Sequence, residues 1–140
     1  MTAATPTPRF RRAAARGTAI FCVAFAVFQA ALALGAPLGE IAWGGSSAVL
    51  PAPLRWSSAA AAVYLLVAAA IMEVRAGDWG RELPGLPFLV FNIILAAQLL
   101  LNTLANLAAQ TGGERYGMGA ASAVGCMLCL LALKPARRRV

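Results

Sequence analysis

Residues 88–109 read FLVFNIILAAQLLLNTLANLAA, a run without a single ionisable side chain. A helix rises about 1.5 Å per residue and bilayer hydrocarbon is about 30 Å thick, so a run of this length crosses it once. In lipid every backbone N–H and C=O needs an internal partner, which leaves helices or closed barrels. A barrel strand alternates in polarity over about ten residues. This run does not alternate, and its alanine and leucine favour helix.

Working outward, three more stretches meet the same criterion. Residues 18–36 hold Gln29 as their one strongly polar side chain, and residues 56–72 are alanine-rich and bounded by Arg55 and Glu73. Residues 117–133 stop against Lys134 and Pro135. The sequence therefore predicts an all-α fold, a four-helix transmembrane bundle over residues 18–133 with spans at 18–36, 56–72, 88–109 and 117–133. Basic tails, residues 1–17 and 134–140, flank it. Composition agrees: 61% of residues are hydrophobic and 12% charged, where soluble domains carry roughly a quarter charged residues.

Charge sets the expected orientation. Arg9, Arg11, Arg12 and Arg16 precede the first span, Lys134, Arg137, Arg138 and Arg139 follow the last, and Arg75 and Arg81 lie between the second and third. The other two connections hold only Arg55 and Arg115. The positive-inside rule then places both termini in the cytoplasm. The first apolar run exceeds the 7–15 residues of a usual signal-peptide h-region, so it reads as an uncleaved anchor. The net charge of +7 reads as attraction to the lipid surface. Nucleic acid is not an expected partner, because no aromatic residues interleave with the basic ones. The expected partner is the bilayer itself. Small residues in the fourth span (Gly117, Gly119, Ala121, Ala123, Gly125) permit close helix packing, including a homo-oligomer or a membrane-protein partner.

Candidate chemistry is sparse. The chain has no histidine, the commonest general base and metal ligand, and no catalytic set, metal site or cofactor motif is expected. In the third span Gln98, Asn102, Asn106 and Gln110 recur every fourth residue, and Asn92 and Thr103 fall on or beside the same arc. An unpaired amide in hydrocarbon costs several kcal/mol. The stripe must therefore face the bundle, a second protomer or water, either as interhelical glue or as the lining of a solute site. Coupled transport is disfavoured because no span carries Asp, Glu, Lys or Arg in its interior.

The connection GAPLGEIAWGGSSAVLPAPLR, from Gly35 to Arg55, is long and apolar for a loop, which predicts an ordered cap or a binding lid. Glu40, Trp43 and Arg55 are its candidate binding residues, with Glu40 positioned to pair with Arg55 or Arg115. Cys126 and Cys129 form a CxxC near mid-membrane, where thiols are inert and structural. Only this pair sustains a thiol-redox alternative. GAPLGEIAWGG, VLPAPLR and NLAAQTGGER together resemble a group of small, uncharacterised four-helix membrane proteins of high-GC bacteria. That resemblance implies topology and origin and carries no activity. The expected function is non-enzymatic: membrane packing, partner binding or lipid binding. The alternative is binding or permeation of a small solute along Gln98, Asn102 and Asn106.

Overall fold

The structure, a computed structural model, describes residues 8–76, 85–109 and 111–133. Its helices are α1 (Pro8–Ala33), α2 (Ala52–Ala76), α3 (Gly85–Leu107) and α4 (Gly119–Leu133). A 3₁₀ turn, Gly39–Ile41, interrupts the α1–α2 connection, and a six-residue π turn, Gly113–Met118, runs directly into α4. Among the described residues there is no strand, and four helical segments are long and apolar enough to cross a membrane. The chain is an all-α, multi-pass membrane protein.

The helices overrun the expected spans at several ends. α1 begins at Pro8, ten residues before the expected span, because Pro fits a first helical turn and the following arginines and alanines favour helix. Ala14 and Ala15 are buried against Ala76 and Ala132, so this extension belongs to the bundle and not to a free tail. The last span lengthens the other way, through the π turn back to Gly113. The expected tails at 1–7 and 134–140, the connection at 77–84 and Gln110 lie outside the described residues.

Packing follows side-chain size. The start of α1 meets the ends of α2 and α4 at one end of the bundle, while the 3₁₀ and π turns meet at the other. α1 packs along α2 and against α4, α4 packs on α3, and α2 and α3 scarcely touch. The helices therefore form an open ring with a seam between α2 and α3. At the α1–α4 contact a Cβ on Gly125 would come within 2.6 Å of the Phe21 ring, so only glycine admits that approach. A core of Cys22, Ala68, Met72, Leu95 and Cys129 fills the middle of the bundle. Ile20, Val27, Val63, Leu66, Leu101 and Leu130 point outward, as lipid-facing side chains must where no water is present.

The α1–α2 connection is ordered by its ends. Gly35 takes φ +94° and α1 closes with N–H bonds from Ala36 to Ala31 O and from Gly35 to Leu32 O, a Schellman motif that satisfies terminal carbonyls. Pro37 then prevents the helix from resuming. Pro51 and Pro53 frame the first turn of α2, where a missing N–H costs nothing. Between them Leu32, Ala42 and Leu50 form a small buried cluster that anchors the segment as a cap over the helix ends.

Candidate functional site

Beneath the cap lies a cavity of about 780 Å³, bounded by all four helices and by residues 41–44. Its volume falls in the range of small-molecule sites. Phe21, Phe25, Tyr64 and Trp43 give it aromatic walls, and Gln29, Gln98, Asn102, Asn106, Ser122 and Glu114 supply polar groups. Its inner end stops at Leu95 and Leu99, which belong to the buried core of Cys22, Met72, Cys126 and Cys129. Ala60 and Ala61 of α2 and Ala105 and Ala109 of the α3 side line it as well. The geometry is a capped chamber with a packed floor, not a channel through the bundle.

The amide stripe divides into two jobs. Asn92 is fully buried and its Nδ2 donates to Cys129 O at 3.3 Å, while Asn106 Nδ2 donates to Ser122 Oγ at 3.3 Å. Ser122 Oγ donates in turn to Met118 O at 2.8 Å, so these two asparagines tie α3 to α4. Thr103 returns its hydroxyl to Leu99 O at 2.8 Å, within its own helix. Gln98 and Asn102 line the cavity and have no hydrogen-bond partner among the described residues. Gln29 Oε1, in the same wall, is buried without a partner among the described residues.

The cap enters the chamber through an unusual turn. Trp43, Gly44 and Gly45 take φ values of 54°, 89° and 64° in succession. A tryptophan in the left-handed region costs on the order of 1–2 kcal/mol. It is held there by its indole N–H, which donates to Ser58 Oγ at 2.9 Å. The turn presents the Gly44 N–H to Glu114 Oε1 at 2.9 Å. A side chain at Gly45 would collide with Thr111 and with Glu40 O, at 2.6 Å and 2.8 Å, so the glycine lets cap and π turn close on each other.

Sequence reasoning passed over Glu114. It is 5% exposed, borders the cavity, and its second oxygen, Oε2, is buried with no hydrogen-bond partner among the described residues. The signal was there: Thr111-Gly112-Gly113-Glu114 has the Thr-x-x-Glu spacing of a capping box. The Glu114 N–H does reach Thr111 Oγ1, at 3.4 Å, but the carboxylate goes to the cap instead of back to Thr111. Of the other candidates, Glu40 is exposed and, like Arg55, does not border the cavity. Arg55 Nε donates to Ala33 O at 2.8 Å and Arg115 Nε to Ala109 O at 3.1 Å. Each arginine thus caps the carbonyl end of a helix, where positive charge is favoured, and the expected Glu40 clasp is absent from these bonds. The three cysteines are free thiols in the core below the cavity, Cys126 Sγ donating to Ala96 O at 3.5 Å. Among the described residues no three His, Cys, Asp or Glu side chains converge as a metal site. Comparison with protein-family models, curated proteins and solved structures finds no match to this chain.

Proposed function

We propose that the chain is a non-enzymatic protein of a bacterial cytoplasmic membrane that holds one small amphipathic molecule, lipid-like in size and polarity, in the chamber beneath the cap. Both termini face the cytoplasm in this reading, on the strength of the basic residues that flank the first and last spans, and the chamber lies toward the outer leaflet. The resemblance to small four-helix proteins of high-GC bacteria supports the same membrane. The observation that carries the proposal is the cavity wall itself. Gln98 and Asn102 line it with exposed amides that bond nothing among the described residues, and the Gln29 carbonyl beside them is buried and unpaired there, where buried polar groups are normally satisfied. A bound polar head would satisfy them while an apolar body fills the aromatic part. The packed floor favours binding over permeation.

Native mass spectrometry from mild detergent tests this directly. The wild-type protein should carry an adduct of defined mass, Asn102→Leu should lose it, and Glu40→Gln, altered outside the cavity, should keep it. A protein that flies bare, or with only heterogeneous lipid on all three forms, would overturn the reading. The same spectra count subunits and so report any homo-oligomer.

A further inference from the structure

The chamber contains a second, sharper demand than its amides. Glu114 is a carboxyl group nineteen-twentieths buried whose Oε1 accepts one backbone N–H and whose Oε2 accepts nothing from the described residues. Burying an ionised carboxylate is costly unless it is paired and hydrogen-bonded. No guanidinium among the described residues supplies that pairing, since Oε2 has no hydrogen-bond partner there, and the Nε atoms of Arg55 and Arg115 go to the carbonyls of Ala33 and Ala109. Among the described residues no basic side chain borders the cavity. The remaining wall is aromatic, with Phe21, Phe25, Tyr64 and Trp43 around it, and aromatic faces attract cations.

We infer that the chamber selects an amphipathic organic cation, an ammonium head with an apolar body, and that the ammonium N–H donates to the Glu114 carboxylate as its Oε2, covered in this structure, turns to the bound head. This rests on the ligand-binding reading above and narrows it. A bare metal ion fits poorly: the cavity is about 780 Å³, and no group of three acidic or thiol ligands is present among the described residues. A free anion would meet a buried carboxylate. An ammonium on an apolar body matches both the lone acceptor and the ring walls. Gly44 and Glu114 meet through the other carboxylate oxygen, so the cap stays latched while Oε2 is occupied.

The test uses three probes that share one body and differ in the head: 4-phenylbutylammonium, 4-phenylbutanol and 4-phenylbutyrate. Each is titrated by calorimetry into full-length protein in nanodiscs of zwitterionic lipid, which removes attraction to anionic headgroups. The ammonium should bind at least about tenfold tighter than the alcohol, the size of one charge-assisted hydrogen bond, and the carboxylate weakest. Glu114→Gln keeps an oxygen for the Gly44 N–H, so it should retain the fold, bind the alcohol as before and lose the preference for the ammonium. Equal binding of ammonium and alcohol by the wild type would overturn the cation assignment and leave the binding chamber standing. If no probe binds, or if Asn102→Leu leaves all three unchanged, the chamber reading fails and takes the cation assignment with it. The selectivity of the wild type decides the matter even if the variant does not fold.

Discussion

Asn92 and Asn102 are chemically identical and lie ten positions apart on one helix, yet only the first is tied to a neighbour. Removing an interhelical hydrogen bond in a membrane costs about 0.6 kcal/mol on average. Asn106→Leu should therefore lower the thermal midpoint in detergent modestly. Asn92→Leu should change it little, since it also removes an orphaned buried oxygen, Asn92 Oδ1, and with it a desolvation penalty. Asn102→Leu should not lower the midpoint at all, because nothing is bonded there to be lost. A large destabilisation by Asn102→Leu would show that its amide is structural. At this scale the sequence was informative about residue type and silent about direction. Spacing of four showed that the amides share a stripe, but 40° of drift per step carries one onto α4 and the next into the cavity. Glu114 was missed for a related reason: its distance from the hydrophobic run marked it as loop, and only the continuation of the helix through a π turn brings it inside.

The elements were largely legible, since the four spans are set by apolar length and their interiors lack competing signals. Their ends were not. Helix α1 extends through arginines that hydropathy counts against a span, although their stems favour helix, and Pro51 and Pro53 start α2 earlier than apolar content suggests. The π turn has no simple compositional mark. Here the Gly119 N–H reaches back to Glu114 O, five residues earlier, so the turn holds one residue more than an α-helix would. Deleting Gly117, beside which a Cβ would meet nothing, should convert the turn to α-helix. Everything before it would then rotate by about 100° relative to α4. Glu114 would leave the cavity wall and the Gly44 contact would break. The expected readout is a folded, membrane-inserted protein that no longer distinguishes 4-phenylbutylammonium from 4-phenylbutanol. Retained discrimination would mean that the extra residue does not set the position of Glu114.

For the molecule as a whole, the apolar exterior, the packed floor and the capped chamber all follow from where small side chains allow helices to meet and where they do not. The sequence announced a membrane bundle but not its open seam, because an apolar span carries no mark of which neighbour it packs against. The pairing of helices has a consequence for how the protein is made. Each of its two strongest helix contacts, α1 with α2 and α3 with α4, joins segments adjacent along the chain. A nascent chain can therefore complete its first hairpin in the membrane before the second has left the ribosome, and the chamber exists only once the two hairpins dock through α1 and α4. Expressed as two separate pieces divided between residues 80 and 81, the halves should each insert and then assemble. A tag on one half should recover the other from detergent extracts in stoichiometric amount, and recovery of the tagged half alone would show that the covalent connection is required to bring the hairpins together.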